Sequence, residues 1–147
     1  MGAMGLMIKL NLSSLKCFDT VTNQFQDMGV LFQNAIALEP SNSAYFSPAS
    51  TILLLGNPKQ GWLEATFLSP VSVVQCRLTS SQRTIMSVHN AQDILLGRTE
   101  LEEANLTGSS STLSANQCLV LKFPDISKVT FYAFDGQITL SEFSFEI

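Results

Sequence analysis

The apolar residues of this chain recur at every second position in short runs, and no segment holds a helical period for three turns. A side-chain period of two fits extended strands with one buried face, so the pattern leaves little room for helices. Residues 62–68 alternate, with Leu63, Ala65 and Phe67 on one face and Trp62, Glu64 and Thr66 on the other. Pro70 then marks a break, after which Val74, Cys76 and Leu78 share a face. Ile8, Leu10 and Leu12 are in phase, residues 29–32 have strand length, and residues 51–55 form a strand stopped by Gly56-Asn57-Pro58. Residues 84–88 and 94–101 flank His89-Asn90-Ala91-Gln92-Asp93, which suits a long hairpin loop. Residues 117–123 read as a further strand before Pro124-Asp125.

The strongest local signal lies at the end. Val129, Phe131 and Ala133 alternate, Asp135-Gly136 suits a type I′ turn, and Ile138 and Leu140 resume the alternation. Beyond Ser141 the apolar phase slips by one, to Phe143, Phe145 and Ile147. One extra residue at a β-bulge near Ser141-Glu142 returns these aromatics to the core face. Short strands with regular turns predict an all-β fold, an antiparallel two-sheet β-sandwich of jelly-roll type with about eight to ten strands.

Composition narrows the partners. The chain of 147 residues has the length of one domain; residues 1–5 read as a cloning scar and residues 6–147 as a single sandwich. A hydrophobic share of 46% with 14% charged residues argues against disorder. Eight scattered Lys and Arg against twelve Asp and Glu give no footprint for nucleic acid or an anionic membrane. No apolar run approaches the ~18 residues of a membrane span, and the start lacks the basic region and apolar core of a signal peptide. Cys17, Cys76 and Cys118 have no CxxC spacing and read as three reduced thiols, one disulfide plus a spare thiol being the other arrangement.

Catalytic sets are hard to assemble from this sequence. His89 is the sole histidine, which removes two-histidine metal sites, and no Gly-x-Ser-x-Gly elbow accompanies it. Glu100, Glu102 and Glu103 cluster at a strand end, where they read as a solvated acidic edge rather than a glycoside-cleaving pair. No phosphate-binding loop occurs. The expectation is a protein without enzymatic activity.

Phe18-Asp19-Thr20, followed by Phe25-Gln26-Asp27-Met28-Gly29-Val30-Leu31-Phe32, resembles the opening of bacterial jelly-roll domains of the galactose-binding-like and carbohydrate-binding-module type. Thr66-Phe67-Leu68-Ser69-Pro70-Val71 and Leu140-Ser141-Glu142-Phe143-Ser144-Phe145 are similar to the central and closing motifs of that group. The resemblance implies the same sandwich, a carbohydrate ligand, and a place outside the cytoplasm or at the cell surface. It also implies a structural calcium held by Asp19, Asp27 and Glu142, although Ser141 stands where the group carries an aspartate. The residues alone offer another reading, in which Asp19 and Asp27 are solvated turn residues.

Sugar sites on sandwiches combine a ring that covers an apolar sugar face with polar groups that fix orientation. Trp62, on the face away from the core, and Tyr45, in the Pro-bounded loop beside Phe46, are candidates for the platform. Asn90, Asp93 and Arg98 are candidate polar partners. A structural role is open for each ring: Trp62 capping the sandwich edge, Tyr45 and Phe46 plugging its end. The alternative class is an assembly subunit that contacts a protein partner, or a second copy, through a sheet edge or face.

Overall fold

The computed structural model describes residues 5–48, 50–56, 61–109 and 111–147. Within them the chain forms β1 (Met7–Lys9), β2 (Thr20–Val21), β3 (Val30–Gln33), β4 (Ala35–Leu38), β5 (Leu53–Gly56), β6 (Trp62–Ser80), β7 (Thr84–His89), β8 (Leu95–Leu101), β9 (Gln117–Tyr132) and β10 (Ile138–Glu146). Every pairing is antiparallel. Helical structure is confined to three short 3-10 turns at Leu12–Ser14, Gln26–Met28 and Ser43–Tyr45. The expected all-β antiparallel sandwich is what the sequence forms. β2 and β4, too short to show a period, are additions to the strands read from the sequence. The expected cloning scar, apart from Gly5, and residues 57 and 58 of the expected stop after β5 lie outside the described residues.

Two long strands tie the layers together. β6 and β9 pair along their length, but the register breaks between Thr66 and Val71 and again before Val73. Residues 67–70 of β6 face residue 127 alone, and residues 123–125 of β9 face residue 72 alone. Each interruption contains a proline, Pro70 or Pro124, where the missing N–H costs no ladder bond. Asp125 adopts a φ of 64° at the same place. Extra residues on alternating strands bend the ribbon, so β6 and β9 turn a corner and serve both sheets. One layer is β2-β4-β5 beside β10, the second half of β6 and the first half of β9, with β1 also on β10. The other is β3, the first half of β6, the second half of β9, then β7 and β8.

The layers meet through phenylalanines. Phe143 of β10 lies edge-on to Phe32 of β3 at 5.3 Å, and Phe145 lies 5.0 Å from Phe67 of β6. Phe67 belongs to the first half of β6 while Phe145 pairs with Val74 in its second half, so this contact spans the corner. The register of β10 against β6 shifts between Leu140 and Glu142, as the phase slip required. Ile138, Leu140, Phe143 and Phe145 are all buried as a result, and Ser141 is the extra residue. The inward faces read from β6 are likewise borne out: Leu63, Ala65, Phe67, Val74, Cys76 and Leu78 are buried.

One expectation needs correction. Residues 129–133 and 138–140 do not form a hairpin, because β9 pairs with β6 and β7 while β10 pairs with β1, β5 and β6. The turn is centred on Phe134 and Asp135, closed by Gly136 N–H donating to Ala133 at 3.0 Å, with Asp135 at a φ of 51°. It carries the chain from one layer to the other, and its glycine is needed for packing: a Cβ there would lie 2.6 Å from that of Ala133. Asn105, within one of the sequence's Asn-x-Thr triplets, is fully buried. Its side chain accepts from the Ser80 N–H and donates to the Leu78 and Ser114 carbonyls, pinning the β8–β9 connection.

Deleting Ser141 should turn Phe143 and Phe145 to solvent and abolish cooperative urea unfolding, whereas Phe143→Ala should fold but lose about 3–5 kcal/mol. A deletion variant that unfolds with the parent midpoint would refute the bulge assignment.

Candidate functional site

Alternation that buries one face of the second layer dictates what its other face presents. With Leu63, Phe131 and Met86 inward, the register places Trp62, Tyr132 and Ile85 side by side on three neighbouring strands, β6, β9 and β7. Adjacent strands lie about 4.8 Å apart, so this apolar row spans roughly 10 Å. Tyr132 is 47% exposed, and Phe134 just beyond it is 73% exposed. Together with Ile85, Gln82 and Arg83 they line a depression of about 250 Å³. Arg83 donates to Glu100 at 2.5 and 3.0 Å across the outer strand, a surface pair that closes this end of the face without much energy.

The next row is polar. Gln33, Glu64, Thr130, Ser87 and Arg98 are successive partners across β3, β6, β9, β7 and β8. Among the described residues, no hydrogen bond or ion pair engages the side chains of these five. The third row carries Thr66, Lys128 and His89, with Lys128 paired to Asp93. An apolar strip beside unengaged donors and acceptors is the chemistry that takes a ligand with one greasy face and a polar rim.

Two of the expected binding residues, Trp62 and Arg98, belong to this face; Trp62 is half-buried and has an interaction of its own. Tyr45 does not. It is 5% exposed and its phenol bonds Ser81; burial raises the phenol above its ordinary value, and that hydrogen bond works against the rise. A buried ring offers no face to a ligand; Tyr45 lies beside Leu38, Leu55 and Thr139, while Phe46 is 61% exposed. Asn90 is spent on the β7–β8 turn, its side-chain oxygen accepting from the Gln92 and Ile94 N–H groups at 3.0 Å. Asp93 sits in the same turn at a φ of 63°, and the hydrogen bond from Lys128 holds its carboxyl below the ordinary range. Both lie beyond the Lys128–His89 row, at the far end of the face from Trp62.

The proposed calcium ligands do not converge. Glu142 accepts from Lys9 Nζ at 2.7 Å and from Arg77 Nε at 2.9 Å, one carboxylate oxygen to each. The hydrogen bond from Lys9 and, after it, Arg77 hold the Glu142 carboxyl below the ordinary carboxylate range against its own partial burial. Two cations on its oxygens leave no room for a third. Asp19 belongs to the turn before β2, and Asp27 to a 3-10 turn lining a different cavity. Among the described residues no group of three or more His, Cys, Asp or Glu side chains can hold a metal ion. The residues present do not fit calcium. The three cysteines are free thiols; burial, with the Cys118 thiol adding to it, pushes Cys76 up and leaves it unreactive.

Tyr132 and Phe134 are the residues that sequence reading passed over. The outward phase of Tyr132 followed from Val129, Phe131 and Ala133 facing inward. That it neighbours Trp62, seventy positions away, depended on register. No helix among the described residues is long and apolar enough to cross a membrane.

No family model and no curated protein matches the chain. Solved structures do. A family 29 carbohydrate-binding module mutant complexed with mannohexaose is 8% identical, with 98% of this chain and 93% of that chain covered at a TM-score of 0.48. A Streptococcus pneumoniae fucose-binding module is 10% identical over 80% of this chain and 89% of its own, TM-score 0.46. The lectin-binding domain of Lectinolysin, complexed with Lewis b, is 12% identical over 80% and 91%, TM-score 0.46. These proteins are what the chain is similar to in fold, and their ligands are their own.

Glu142 in an unfolded chain titrates near about 4.3. Its lowered folded value means that its pairs contribute fully above that pH and are lost as pH falls through the folded value. Glu142→Gln should therefore lower the melting temperature at neutral pH, with the difference from the parent shrinking between about pH 5 and pH 2. A pH-independent difference in melting temperature would show that the ion pairs are not its source.

Proposed function

We propose that this protein is a non-catalytic carbohydrate-binding module whose ligand lies on the outer face of the second layer. The observation that carries the reading is the cross-strand row Trp62–Tyr132–Ile85, extended by Phe134, beside a polar row whose side chains have no hydrogen-bond or ion-pair partner among the described residues. Each pyranose ring has an apolar face and a hydroxyl rim, and roughly two rings cover a row of about 10 Å. Trp62 and Tyr132 take the ring faces. Glu64, Thr130, Ser87 and Arg98 take the hydroxyls, the carboxylate accepting, the guanidinium donating and the hydroxyl groups doing either.

This reading is tested by a glycan array followed by calorimetry on any glycan retained. Trp62→Ala and Tyr132→Ala should each weaken binding about tenfold or more with the fold intact, while Tyr45→Phe leaves it unchanged. Chelator should have no effect. A blank array, or affinity indifferent to both ring deletions, would sink the proposal.

One observation favours the assembly reading as a second choice. The first half of β9, residues 117–122, pairs with β6 on one side and with no described strand on the other, and Val120 there is 38% exposed. An open edge of this kind accepts a neighbouring strand. Light scattering at high concentration that returns a strict monomer removes its homo-oligomeric form.

A further inference from the structure

The bulge that sets the register of β10 has a second consequence. Ser141, the inserted residue, is 3% exposed, and its Oγ has no hydrogen-bond partner among the described residues. A buried hydroxyl without a partner is costly, and its retention calls for an occupant of the space beside it. Ser141 lines a cavity of about 290 Å³ on the first layer, together with Lys9, Asn11, Ser13, Ser50 and Glu142, on a base of Leu10 and Leu12.

The lining decides what fits. Ser50 is already engaged, its hydroxyl donating to the Ile52 carbonyl at 2.7 Å and accepting from the Ile52 N–H at 3.3 Å; Ser13, whose one contact is to Ser50 at a long 3.3 Å, keeps capacity for a stronger bond. The Asn11 side-chain amide bonds nothing among the described residues, including the 3-10 turn it precedes. Lys9 and Arg77 each hold one oxygen of Glu142, at 2.7 and 2.9 Å, so the charged groups at this rim are engaged with one another. No aromatic ring lines the cavity, which removes stacking as a binding mode. What remains is a set of groups that both donate and accept, over an apolar floor. Such a set matches hydroxyls, which also do both, and the volume lies at the small end of ligand pockets.

We propose that this cavity is a second binding site, specific for a small neutral polyol such as a single free sugar ring, recognised by Asn11, Ser13 and Ser141. It lies on the first layer, away from the Trp62 face, and stands independently of the function proposed for that face.

The test is an amide-resolved NMR titration of the intact chain with free glucose, galactose, mannose, fucose and glycerol, up to tens of millimolar. At least one is expected to shift the amides of Asn11, Ser13, Ser50, Ser141 and Glu142 saturably. Ser141→Ala and Asn11→Ala should each weaken that binding about tenfold, with unchanged melting curves confirming the fold. Trp62→Ala should leave it untouched, which separates this site from the one on the second layer. No saturable shift at these residues with any of the five probes would overturn the proposal, the Ser141 hydroxyl then being satisfied by water alone. Binding that survives both substitutions, or disappears with Trp62→Ala, would overturn it equally.

Discussion

Phe143 and Phe145 hold the sandwich together. They sit on β10, yet their rings touch Phe32 of β3 and Phe67 of β6, residues of the opposite layer. Each buried ring removes a large apolar surface from water, and the edge-on and tilted geometries add to that burial. Because the contact spans the corner of β6, the two rings fix how sharply that strand bends. Their inward aim depends in turn on Ser141: without the extra residue, the alternation that buries Ile138 and Leu140 would put both phenylalanines outside.

The corner itself places the face proposed to bind a ligand. β6 and β9 stay paired with each other on both sides of the bend, so whatever register they hold in one layer is carried into the other. Cys76 opposite Leu119 and Leu63 opposite Phe131 are two ends of one ladder, interrupted by the bulges around Pro70 and Pro124. A slip of one residue in either half would turn Trp62 or Tyr132 into the core and expose a leucine or a phenylalanine. Core packing thus locks the outer row as firmly as the inner one, which is how a flat sheet face can hold a platform without loops.

Local pattern made much of this legible. The period of two, the inward and outward faces of β6, the β7–β8 hairpin and the bulge before Glu142 are all written within windows of ten residues. What stayed hidden is long-range. Asp135-Gly136 between two alternating runs has the local look of a hairpin, but partner choice is set by the core, and β9 and β10 end in different layers. The outward placement of Trp62 and Arg98 was legible because strand phase and residue type are local properties. Tyr45 was misplaced because a loop's burial depends on what covers it, here Ser81 and the start of β10. Glu142 looked like a metal ligand until the fold brought Lys9 from β1 and Arg77 from β6 to its two oxygens.

That last arrangement explains why the two outer faces differ in what they can bind. On the first layer, Glu142, Lys9 and Arg77 are already engaged with one another, and a ligand lying over them would have to break ion pairs or desolvate them unpaired. On the second layer, Glu64, Thr130, Ser87 and Arg98 are engaged only by solvent among the described residues, so a hydroxyl that replaces a water there exchanges one hydrogen bond for another. The apolar row beside them then supplies the net gain, since covering Tyr132 and Phe134 removes surface that water wets poorly. An extended ligand therefore favours the second layer. The first layer offers a place only at the rim of its ion-pair network, where Asn11 and the serine hydroxyls leave the charges undisturbed.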